Sequence, residues 1–148
     1  MLTKKAPTAA EASWQAALRA FDAGLQARGM GEKTRRAYGV DLGQLGEWAA
    51  GRGLRPKDVS HRDLRRFAAV LGENGAAKST VARKLAAIRS FYRHLVERGE
   101  LDNNPADLVP SPKKDNYLPQ VLKAGDVAEM LERIPASTPL DLRDRAMF

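Results

Sequence analysis

The sequence predicts an all-α protein: a bundle of four helices over residues 9–108, a proline-rich linker over 109–119 and the first helices of a second, truncated domain over 120–148. Three observations predict it. Apolar side chains recur at steps of three and four in four successive segments, each segment ends at a glycine-bearing turn, and no stretch alternates convincingly at period two. A chain of 148 residues, 43% hydrophobic and 29% charged, can bury one ordinary core.

Residues 1–8 precede the pattern and are expected to be a flexible N-terminus. Trp14, Leu18, Phe21 and Leu25 share one helical face, so helix one runs from about Ala9 to Arg28 and stops at Gly29 to Gly31. Tyr38, Leu42, Leu45, Trp48 and Ala49 form the second stripe, closed by Gly51 to Gly53. This helix carries Gly39, Gly43 and Gly46 in its interior, each costing about 1 kcal/mol against alanine, so it must lean on its neighbours or let one approach closely. Ser60 and Asp63 read as a capping box for a brief third helix with Leu64, Phe67, Ala68 and Leu71, which ends by Gly75. The fourth stripe, Val81, Leu85, Ile88, Tyr92 and Leu95, is the clearest, with Gly99 as its C-terminal cap.

The texture then changes. Asn104 and Pro105 mark a stop, and Pro110, Pro112 and Pro119 make an extended, semi-rigid connector. Val127, Met130, Leu131 and Ile134 mark a further amphipathic helix, and Thr138 with Pro139 opens another that begins at Leu140. Two helices cannot enclose a core, so residues 120–148 read as the opening of a domain that continues elsewhere.

Charge narrows the function. The net of +7 is concentrated: residues 32–98 carry fifteen basic against seven acidic side chains, whereas residues 99–148 carry six against nine. One part of the chain is thus suited to phosphate and the tail to other work. The absence of cysteine excludes disulfides and thiolate metal sites; two histidines, His61 read as a surface residue and His94 as a helix-face residue, are too few for most metal sites. Neither a membrane-length apolar run nor the apolar stretch of a signal peptide is present, so a cytoplasmic protein without cofactor or metal is expected.

The basic side chains gather at two helix starts. Lys33, Thr34, Arg35 and Arg36 open helix two; Lys78, Ser79, Thr80, Arg83 and Lys84 open helix four. Positive charge there opposes the helix macrodipole, and a nearby anion would resolve the conflict. Hydroxyls and backbone N–H groups at a helix start bind phosphate, and arginine reads guanine edges. A solvated basic face is the simpler alternative.

The chain also resembles a known family. Met30-Gly-Glu-Lys-Thr34, Tyr38, Asp41-Leu42 and Trp48, then Ser79-Thr80 with Leu85, Ile88 and Phe91-Tyr92, Asn104-Pro105, Ser111-Pro112-Lys113, Leu118-Pro119 and Leu142-Arg143-Asp144, follow in the order seen in tyrosine recombinases and integrases of the Xer branch. The resemblance implies a core-binding, SAM-like helical domain that closes on double-stranded DNA together with a catalytic domain, and recombinase subunits that assemble as a tetramer on two sites. It implies DNA contacts at Thr34, Arg36, Ser79, Thr80, Arg83 and Lys84, with Lys33, Arg35 and Lys78 beside them and Lys113 and Lys114 as phosphate contacts on the connector. The family's tyrosine nucleophile and its arginine, histidine and lysine partners are expected beyond Phe148, so the chain should bind DNA and cut nothing. Tyr38 and Tyr92 lie in apolar stripes as core residues, and Tyr117 lies on the connector. Two other classes use the same features: a stand-alone helical DNA-binding regulator, which would not need the connector, and a helical protein-interaction module, which would not need the charge block.

Overall fold

The apolar stripes become the buried faces of helices in a computed structural model, which describes residues 5–113 and 123–133. The helices are α1 (Ala9–Ala27), α2 (Glu32–Ala50), α3 (His61–Glu73), α4 (Lys78–Glu97) and α5 (Ala124–Glu132), with short 3-10 turns at Pro56–Asp58 and Pro105–Leu108. No strand occurs among the described residues. The chain divides into two compact units, Met1–Lys114 and Asp115–Phe148. The second contributes α5, on which Val127 and Leu131 are half-buried and Met130 is exposed. The helix expected at Leu140, Ile134 and Tyr117 lie outside the described residues.

In the first unit α4 is the central element. Val81, Leu85, Ile88, Phe91, Tyr92 and Leu95 are all buried on it, against Trp14, Phe21 and Leu25 of α1, Leu42, Leu45 and Ala49 of α2, and Leu64 and Phe67 of α3. Each such side chain contributes about 1.5–3 kcal/mol by leaving water, which offsets the ordering of the chain. Phe91 is the hub: it stacks on Trp14 at 5.8 Å and meets Phe21 edge-on at 5.6 Å. Two buried rings pin the turn after α2, because Trp14 Nε1 donates to the Leu54 carbonyl at 2.8 Å and the Tyr92 hydroxyl donates to that of Pro56 at 3.1 Å. Burial pushes the Tyr92 phenol well above its ordinary range, so it stays a hydrogen-bond donor.

The glycine stops act as the sequence predicts. Gly99 has φ +71°, a left-handed conformation that favours glycine, and lets the Glu100 N–H reach back to the Leu95 carbonyl at 2.9 Å. The same reach-back closes α1, α2 and α3 after Gly29, Gly53 and Gly75. Of the interior glycines of α2, only Gly46 answers to a close approach, a Cβ there meeting the Trp14 ring at 3.4 Å; at Gly39 and Gly43 it would meet open space.

The structure adds to two expectations. His94, read as a helix-face residue, lies on the inner face of α4: it is buried, edge-on to Phe21 at 5.5 Å and so close to Gly24 that a Cβ there would lie 2.9 Å from its ring. Burial pushes its imidazole pKa down, and the charges of Arg98 and Arg28 push the same way. The chain also stays docked beyond residue 108, where the linker was expected to begin. Val109 is buried, and Arg89 of α4 donates to the Val109 carbonyl at 2.6 Å and to Ser111 Oγ at 2.9 Å. Asn104 completes the anchor, donating to the Arg89 carbonyl at 3.0 Å while accepting from the Ala106 N–H at 2.9 Å.

Candidate nucleic-acid interface

Every α-helix begins with backbone N–H groups that have no partner inside the helix. In α1 and α3 local side chains close that end. Thr8 Oγ1 accepts from the Glu11 N–H at 3.2 Å while the Glu11 carboxylate takes the Thr8 N–H at 2.6 Å; Ser60 and Asp63 repeat the arrangement at 3.3 and 2.8 Å. The Ser60 hydroxyl and N–H hold the Asp63 carboxyl below the usual carboxylate range. The Thr8 to Glu11 box is a Thr-x-x-Glu signal that apolar spacing alone does not detect.

The starts of α2 and α4 are different. Their N-cap residues are Gly31 and Ala77, neither of which makes a side-chain cap. Lys33 and Thr34 are exposed in the first turn of α2. Lys78 and Ser79 are exposed in the first turn of α4, Thr80 is half-buried beside them, and that turn holds no acidic residue. Uncapped N–H groups with hydroxyls and cations at hand are the chemistry that takes a phosphate.

Four cations further along these helices are engaged by carboxylates. Arg35 grips Asp22 of α1 in a two-pronged pair at 2.9 and 2.6 Å, which raises the Arg35 pKa and lowers that of Asp22. Arg36, exposed, pairs with Glu32 one turn back at 2.6 Å. Lys84, one of the candidate contacts, lies inside the bundle: its side chain is only 8% exposed, and its amine donates to Asp41 Oδ1 at 2.9 Å and to Gln44 Oε1 at 2.6 Å. Arg35, another candidate, turns its fork to α1. Both sit on the buried side for a reason visible in the spacing. Lys84 lies three residues after Val81 and four before Ile88, and Arg35 three before Tyr38 and seven before Leu42.

Arg83 keeps an exposed side chain and takes Asp41 Oδ1 at 3.1 Å, so one buried carboxylate on α2 joins two consecutive cations on α4. Asp41 thereby gives the Asp-Leu pair a physical role, with Leu42 entering the core and Asp41 locking α2 to α4. Lys113 is exposed two residues beyond the Arg89 anchor, and Lys114 lies outside the described residues. No group of three or more His, Cys, Asp or Glu residues that could hold a metal occurs among the described residues, and no helix among them is long and apolar enough to cross a membrane.

Comparison with known proteins agrees with this architecture. Residues 18–99 match the family model of the phage integrase N-terminal SAM-like domain. The chain is 40% identical over 135 residues to tyrosine recombinase XerC of Pelobacter propionicus, covering 88% of this chain and 44% of that protein. It is 38% identical over 123 residues to XerC of a Roseiflexus species, covering 82% and 39%, and 37% identical over 125 residues to tyrosine recombinase XerD of Chlorobaculum tepidum, covering 82% and 41%. The chain thus spans about two fifths of the length of these curated relatives. No solved structure matches it. With an all-α SAM-like bundle and these relatives, the chain belongs to the Xer-like tyrosine recombinase family.

Proposed function

We propose that this chain is the DNA-gripping front portion of a site-specific tyrosine recombinase, with residues 9–108 as its core-binding domain. The observation that carries the reading is the contrast among the four α-helix starts of the first unit: two are closed by their own side chains, and the two left open are the ones dressed with lysine, arginine and hydroxyls. Lys33, Thr34 and Arg36 on α2 and Lys78, Ser79, Thr80 and Arg83 on α4 meet double-stranded DNA, the helix starts holding phosphate and Arg83 reaching a base edge. Arg83 is suited to this because Asp41 steadies one side of its guanidinium while its chain remains in solvent. Lys113 and Lys114 follow the backbone as the connector passes along the duplex. Arg35 and Lys84 hold the frame that presents the others.

Strand cleavage by a tyrosine nucleophile is the work of a catalytic domain to which residues 120–148 belong, and the role assigned to residues 9–108 is binding. The full-length subunits act in the cytoplasm as a tetramer on two DNA sites, in recombination of the kind that resolves joined chromosomes. The test is a fluorescence-anisotropy titration against a short duplex bearing a recombinase half-site and a scrambled control, across a salt series. Binding that favours the half-site and weakens steeply with salt is expected. Failure to bind either duplex at low salt would overturn the reading in favour of an interaction module.

A further inference from the structure

A second group of cations lies outside the helix starts. Arg62, Arg65 and Arg66 on α3 are all exposed and fall at i, i+3 and i+4, opposite the buried Leu64 and Phe67. Like charges at this spacing repel one another across one helix face. Several other cations are answered by carboxylates: Arg35 by Asp22, Arg83 and Lys84 by Asp41, Arg55 by Asp58 and Arg98 by Glu100. None of the three on α3 has a carboxylate within ion-pair distance among the described residues. The nearest acid on their own helix, Asp63, caps the helix through Ser60 instead, its charge felt by Arg66 only at a distance.

We infer that the outward face of α3, continued by Lys113 on the chain leaving the bundle, is a sequence-independent strip for the phosphates of double-stranded DNA, separate from the readers on α2 and α4. The inference rests on the DNA-binding reading above and extends it from Lys113, which that reading already uses, to the face of α3, which it does not. Two features fix its character. The start of α3 is closed by its capping box, so its backbone N–H groups are not on offer and side-chain charge must act alone. Arg65 donates to the Leu108 carbonyl at 3.3 Å, which sets the α3 face beside the exit chain that runs through Ser111 to Lys113. Guanidinium forks match phosphate geometry, and this face presents no hydroxyl or amide to select a base.

The test uses the 148-residue chain, the same two duplexes and the same salt series, with Arg62→Gln/Arg66→Gln; Arg65 is kept because it bonds Leu108. Affinity for half-site and scrambled duplex should fall by the same factor, and the slope of log K against log salt should shrink by about 0.9 for each phosphate contact removed. Arg62→Lys/Arg66→Lys should keep the slope, which separates lost charge from lost folding. An unchanged slope in the glutamine variant while the parent chain binds would overturn the strip alone, and a loss confined to the half-site would overturn its sequence independence. A parent chain that binds neither duplex would overturn this inference together with the reading beneath it.

Discussion

The starts of α1 and α3 and those of α2 and α4 solve one problem in opposite ways. All four expose backbone N–H groups, and the first pair satisfies them within four residues by a hydroxyl and a carboxylate. The second pair begins at glycine and alanine, which have nothing to offer, and sets cations beside the gap, with Glu32 of α2 taken up by Arg36 and no acid in the first turn of α4. A start of that kind is worse for the isolated helix and better for an incoming anion. Such starts hold because the helices are fastened farther along: α2 to α1 by Arg35 and Asp22, and α4 to α2 by the buried group around Asp41.

The comparison is broken most strongly at that buried group. Asp41→Ala leaves the Lys84 ammonium with no opposing charge in a buried site and should destabilise the bundle by about 3–5 kcal/mol in urea denaturation, with much of the loss recovered in Asp41→Ala/Lys84→Met. Closing an open start tests the contrast directly. Ala77 has the extended backbone of a cap residue, so Ala77→Asp should raise stability by about 1 kcal/mol while weakening DNA binding about tenfold. Opening a closed one is the converse: Ser60→Ala should cost about 1 kcal/mol and leave the affinity for DNA unchanged. Gly43→Ala, where a Cβ meets open space, should stabilise α2 by about 0.5–1 kcal/mol in the same assay.

The smallest expected effect is a pH dependence from His94. Its folded pKa lies below the unfolded value of about 6.5, so the unfolded chain takes up the proton first. Stability from this group is therefore full at neutral pH and declines as pH falls below about 6.5 towards the folded value. His94→Gln should flatten that part of the curve in denaturation midpoints measured between about pH 7 and pH 5.

How much was legible in the sequence differs with the distance over which each feature is decided. The Ser60 to Asp63 box and the four glycine stops were legible because each depends on contacts within a few residues. The four apolar stripes were legible because helical periodicity shows which side is buried. The burial of His94 was not, since it depends on the gap that Gly24 leaves on another helix. Nor was the docking of residues 109–111, which relies on Arg89 reaching three acceptors from the middle of α4.

Within the candidate interface the division runs residue by residue. Lys33, Thr34, Lys78 and Ser79 stand where their position in a first turn puts them. Arg35 and Lys84 stand in register with the apolar stripes, and carboxylates 13 and 43 residues away hold them there. The sequence by itself determined the helices, their ends and the region of excess positive charge, because periodicity, capping and composition are local properties of the chain. Only the tertiary structure decided which carboxylates hold Arg35, Arg83 and Lys84, because each of those partners lies on another helix, far away in the chain.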